Sequence, residues 1–167
     1  SSLDWVDCSV IWPLLTLSIY LREPPFMNTA LKYPSAILPI RRDLKFNLPA
    51  DRISDWHQPA GPIFTAFLNT FSIVLPIGER FFIDSVRAYR DQITDPELKK
   101  AITAFIGQEA MHGREHEEYN NALFAVTPVA PKFERLVKGI LDGVTRYAPK
   151  PFALSATIAL EHFTALL

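Results

Sequence analysis

The sequence predicts an all-α protein: a helical bundle preceded by an irregular, proline-rich arm at the N-terminus. Three observations predict it. From Gly61 onward apolar residues recur at helical spacing, and no convincing alternating strand pattern occurs. Prolines crowd the stretch before it, at Pro24, Pro25, Pro34, Pro39, Pro49, Pro59 and Pro62, too densely for uninterrupted helix. Within the helical part, single glutamates stand in otherwise apolar segments, which places carboxylates on faces that turn inward.

The chain has 167 residues, enough for one domain with a core of its own. Hydrophobic residues make up 49% and charged residues 21%, the usual proportions of a globular protein. Its 17 basic and 18 acidic residues leave a formal net charge of −1, with no run of like charges. That balance argues against a nucleic-acid groove or a polybasic membrane surface. Cys8 is the sole cysteine, so no intrachain disulfide can form, which fits a reducing cytoplasm. Val10–Leu21 is apolar, but it is about 12 residues long, contains Pro13 and follows Asp4 and Asp7. It falls short of the ~20 residues a membrane-spanning helix needs and lacks a basic leader, so no membrane partner is expected.

Residues 1–26 read as a non-native or disordered leader, or as the end of a longer N-terminal region, because Met27 opens a more natural coding start. Residues 27–60 read as an extended arm over the bundle, with short strands possible at Ser35–Ile40 and Asp43–Leu48. Residues 61–167 form the bundle. Ile63–Val74 is a first buried helix, which Pro76 and Gly78 interrupt or kink before a second over Glu79–Gln92. Phe82 and Val86 share the Glu79 face. Thr94, Pro96 and Glu97 signal the start of a long helix to about Leu123, with Thr94 as cap. Its residues Leu98, Ile102, Phe105 and Ile106 point the same way as Glu109. After Pro128 and Pro131, Phe133–Tyr147 presents Leu136, Ile140, Val144 and Tyr147 along one side. Pro149 and Pro151 open the last helix, Phe152–Leu167, which closes without a stop signal. The bundle therefore reads as incomplete, cut in mid-helix, and the apolar last helix would favour a homo-oligomer.

Chemistry is expected at the carboxylates. Glu109, His112 and His116 occupy positions i, i+3 and i+7, within an arc of roughly 60° on one helix face. Glu109 and His112 make the Glu-x-x-His pair that helical bundles use for iron or manganese. Glu161 shares its face with Leu154, Ile158 and Ala165, and only His162 accompanies it as an ionisable group between Phe152 and Leu167. An unpaired buried carboxylate costs several kcal/mol, so Glu161 is expected to be neutralised, to bind a cation or to pair with an arginine such as Arg87 or Arg114, the alternative being that its face is exposed. The metal ligands expected are Glu79, Glu109, His112 and Glu161, with His116 as a further ligand or a hydrogen-bond partner. His162 is expected to support a ligand by hydrogen bonding. Glu115, Glu117 and Glu118 read as a solvated flank, and His57 has no assigned role. No nucleophile elbow, phosphate loop, dinucleotide fingerprint or zinc-protease motif is present.

Gly78-Glu79-Arg80-Phe81-Phe82, Asp95-Pro96-Glu97-Leu98, Phe105–Ala110, His112–His116 and Ala159–Ala165 closely resemble the bacterial family catalogued as predicted metal-dependent hydrolases. The likeness runs over roughly residues 35–167. It implies a ferritin-like bundle with a dinuclear carboxylate–histidine site. Such a site would hold two divalent transition ions, iron or manganese, with zinc possible. Of its parts, Glu79, Glu109 with His112, and Glu161 match; the resemblance places a second Glu-x-x-His beyond Leu167. The activity implied is metal-dependent hydrolysis of a small-molecule substrate, with catalytic residues unassigned. A di-iron oxidase or oxygenase is the alternative enzyme, and a metal-binding or structural bundle the alternative without catalysis.

Overall fold

The computed structural model describes Asp43, residues 45–47, 50–53 and 58–166. The leader, the strand expected at Ser35–Ile40, and His57 lie outside the described residues. Of the second expected strand, Asp43 and residues 45–47 form none. Asn47 takes φ 45°, a left-handed conformation.

Four helices follow, and among the described residues there is no strand: α1 (Gly61–Arg87), α2 (Pro96–Val126), α3 (Ala130–Tyr147) and α4 (Lys150–Thr164). Gly61 opens α1 at φ 84°, where a Cβ would be strained, and Pro62 follows in the first turn. The 3₁₀ turn Arg90–Gln92 separates α1 from α2. The cap of α2 is Asp95 and not Thr94: its Oδ1 accepts from the N–H groups of Glu97 (2.8 Å) and Leu98 (3.1 Å). Pro96, with φ preset, starts the helix, so the residue just before it takes the cap.

The expected break at Pro76 and Gly78 does not occur, and α1 runs through both. Proline removes the N–H that would bond the Ser72 carbonyl four residues back. Asn120 on α2 replaces it, its Nδ2 donating to that carbonyl at 2.8 Å. A tertiary hydrogen bond thus satisfies what the proline leaves open. By length and composition alone, Gly61–Gln92 is also long and apolar enough to cross a membrane.

Helix α1 is the hub: it packs most extensively on α2 and also touches α3 and α4. Near the α1–α2 connection, Phe81, Phe82, Val86, Tyr89, Ile93, Leu98, Ile102, Phe105 and Leu154 form the larger apolar cluster. At the far end Ile53, Ile73, Leu123 and Ala130 form a smaller one. Between the two lies a polar layer of Glu79, Glu109 and Glu161 with Ser72 and Asn120, all buried. Ser85 Oγ and Thr157 Oγ1 hydrogen-bond at 2.8 Å, tying α4 to α1 one turn away from Glu161.

The first helix, expected to be largely buried, is exposed over its first turns at Ile63, Phe64 and Phe67, and the apolar side of α3 is only partly buried. Leu136 (62% exposed), Ile140 (58%) and Tyr147 (78%) on α3 face solvent, and Ala130 is the buried residue of that helix. Val144, on the same side, is half-buried against the larger apolar cluster.

Candidate metal centre

Glu79 reaches the interior from the middle of α1, and Glu109 and His112 reach it from the middle of α2. Each offers one donor atom, and these three atoms lie within 4.8 Å of one another. Both carboxylates are buried, at 4% and 3% exposure, and His112 is half-buried with its Nδ1 4.0 Å from Glu109 Oε1. Glu161 is buried on α4, and its charge raises the proton affinity of both Glu79 and Glu109. It stands outside the tight group of three, as does His116, one turn beyond His112 on α2. His162 lies exposed beside Phe163, with ring centroids 6.3 Å apart, and not against a ligand. Consecutive residues on a helix point about 100° apart, so the turn that buries Glu161 exposes its neighbour.

The electrostatics follow from burial. Glu79 is pushed up to about 10, by desolvation first and then by the charges of Glu109, Glu161 and Glu117. Desolvation, with Glu161, takes Glu109 to about 8, and desolvation takes Glu161 to about 7. Burial lowers His112, and it lowers His116 to about 4, with the neighbouring His112 adding to the effect. Without a cation, burial favours the protonated acids and the neutral imidazoles.

The arginines that the sequence offered as partners for Glu161 are engaged elsewhere. Arg87 pairs with Asp84 at 3.6 Å, while Arg114 pairs with Asp43 and with Glu115. Glu115 is accordingly no solvated flank: it accepts from Arg114 and from the Phe46 N–H at 3.2 Å, fastening the arm to α2. Glu117 and Glu118 are exposed as expected.

The residues present fit a metal ion. Glu79 Oε2 is buried without a hydrogen-bond partner, which is costly unless something absent from the chain satisfies it. Opposite it lies Gly113, whose added Cβ would sit 2.9 Å from that same oxygen. A glycine inside a helix costs about 1 kcal/mol relative to alanine, and here it makes room for the carboxylate. Sequence reading passed over Gly113 as part of a motif; its position mid-helix, four residues after Glu109, was the available signal. Ser72 and Asn120 were missed as well, since neither residue type signals a site by itself.

A groove of about 390 Å³ opens beside the group between α1 and α2. Pro76, Glu79 and Glu109 are buried in its wall, and Arg80, Asp84, Arg87 and Glu117 stand exposed at its edge.

Fold and site together define an all-α helical bundle carrying a buried carboxylate–histidine group able to take a metal ion. The chain belongs to the family described as predicted metal-dependent hydrolase, whose model matches residues 40–167. No curated protein and no solved structure gives a significant match.

Proposed function

We propose that the protein is a metal-dependent hydrolase acting on a small molecule, with Glu79, Glu109 and His112 as primary ligands. Glu161 and His116 complete the site in this reading, which is ferritin-like and holds two ions. The observation that carries it is the buried Glu79 Oε2, without a hydrogen-bond partner, inside a group of three acids that raise one another's proton affinity. Mixed carboxylate and imidazole donors suit iron, manganese or zinc. When bound, such an ion supplies Lewis acidity and makes water acidic enough to act as a nucleophile near neutral pH. The chain's own contribution is to hold the donors on rigid helices and to leave the groove open on one side. The single cysteine supports a cytoplasmic setting.

Metal analysis of the purified protein and of Glu109→Ala tests this. Iron, manganese or zinc is expected in the wild type and not in the variant. Zinc- or manganese-loaded wild type should cleave a generic ester under nitrogen. Unchanged metal content in Glu109→Ala, with only lower stability, overturns the site in favour of a structural bundle. The carboxylate-rich donor set also favours a second reading, a di-iron oxidase or oxygenase. That reading expects ferrous iron uptake and a near-ultraviolet band that appears only in air.

A further inference from the structure

The proline in α1 has a consequence that reaches His116. Pro76 leaves the Ser72 carbonyl without its helical donor, and a carbonyl can only accept. The Asn120 group 2.8 Å from it must therefore be the Nδ2 amide, which turns Oδ1 toward the Ser72 hydroxyl. Oδ1 is itself only an acceptor, so at 2.9 Å the Ser72 hydroxyl proton goes to Asn120. Ser72 Oγ then has lone pairs but no proton left for His116, whose Nδ1 lies 2.9 Å away. That contact is a hydrogen bond only if the imidazole is the donor.

We propose that Asn120, seated on the carbonyl that Pro76 leaves open, and Ser72 form a directional relay that fixes His116 as its Nδ1–H tautomer and leaves the Nε2 lone pair available. Ser72 and Asn120 are positioning residues that act through His116. The chain of donors is His116 Nδ1–H to Ser72 Oγ, Ser72 Oγ–H to Asn120 Oδ1, and Asn120 Nδ2–H to Ser72 O. Every polar atom in it is satisfied in one arrangement only, and bonds running in one direction reinforce each other. The relay is buried at Ser72 and Asn120, so water does not scramble it. A metal-binding or proton-accepting histidine needs such a partner on its other nitrogen to set its tautomer. The use of the Nε2 lone pair at the metal centre rests on the function proposed above; the tautomer itself does not.

The test is long-range ¹H–¹⁵N correlation NMR on metal-free, histidine-labelled protein at neutral pH. His116 is expected to show a protonated Nδ1 and an unprotonated Nε2. Removing Asn120 alone would orphan the Ser72 carbonyl, so the informative variant is Pro76→Ala with Asn120→Ala, which returns a backbone donor to that carbonyl. In this double variant the Ser72 hydroxyl is free to donate, and the Nε2–H form of His116 should become populated. Pro76→Ala alone keeps Asn120 and should keep the wild-type pattern. Nε2–H as the main form in the wild type, or an unchanged tautomer in the double variant, overturns the relay. Because no metal is present, a protein that shows the expected tautomer but later takes up no metal refutes the proposed function and leaves the relay standing.

Discussion

Next to the α1–α2 connection, Phe82, Val86, Ile102 and Phe105 meet in a dry apolar contact; one turn beyond, Glu79 and Glu109 are equally buried in the same seam. The first contact lowers the free energy of the folded chain, and the second raises it. Burial of apolar surface is favourable at about 25 cal/mol per Å², whereas burial of a carboxylate without a cation is opposed by desolvation. The apolar end therefore supplies stability that the polar layer uses. Ser72, Asn120 and the Nδ1 side of His116 lie on the far side of the acids and form a third regime, polar but hydrogen-bonded. Burial alone says nothing about stability; whether each polar atom has a partner decides it.

The largest effect should come from the apolar end. Phe105→Ala removes a ring with 1% exposure and should cost about 3–5 kcal/mol by urea unfolding. The loss should be much the same at pH 5 and pH 8, since the ring itself carries no titrating group. A strong pH dependence of this loss would show that the two ends are not independent.

The polar layer should respond in the opposite sense. Glu79, Glu109 and Glu161 have folded pKa values of about 10, 8 and 7, all above the ordinary 4.5. Below about 4.5 they are protonated in both the folded and the unfolded chain, and their contribution to stability is fully present. As pH rises from 4.5 through 7 to 10, the unfolded chain releases these protons first, so the metal-free protein should lose stability. Glu109→Gln should be more stable than metal-free wild type at pH 8, by about 1–2 kcal/mol, with a flatter pH profile. Saturating zinc or manganese should stabilise the wild type at pH 8 and leave Glu109→Gln unchanged. A variant less stable than wild type at pH 8 would mean that the acids are partnered after all.

Glycines sharpen the contrast further. Gly143 on α3 has no atom within 4 Å of a built Cβ, so Gly143→Ala should add about 0.5–1 kcal/mol in thermal unfolding. At Gly113 the same change pushes on Glu79 Oε2 and should forfeit that gain. It should also weaken metal affinity about tenfold or more, read by competition with a chelating dye. The smallest effect belongs to the uncovered face of α3: Ile140→Ser should change stability by no more than about 0.5 kcal/mol. A loss of several kcal/mol there would mean that Ile140 is covered in solution.

Much of the α1–α2 seam was legible beforehand because periodicity encodes it. Leu98, Ile102, Phe105 and Glu109 fall on one face of any helix, and the structure buries all four. The same rule placed Glu109 beside His112. It could not say what covers a face: Leu136 and Ile140 lie along the apolar side of α3 and are exposed, while Val144 on that side packs on the core. Nor could it weigh a proline whose lost bond is replaced from another helix, as Asn120 does for Pro76.

The sequence by itself determined the helical class and the faces that carry Glu79, Glu109 and Glu161. These follow from local rules: a 3.6-residue period, proline's missing donor, and the cost of leaving apolar residues in water. Tertiary structure alone decided that Glu79 meets Glu109 and His112, that Gly113 makes room for them, and that Ser72 and Asn120 hold His116. Those are contacts between residues as many as 48 positions apart, and a contact at that range is set by how whole helices dock, which no local pattern contains.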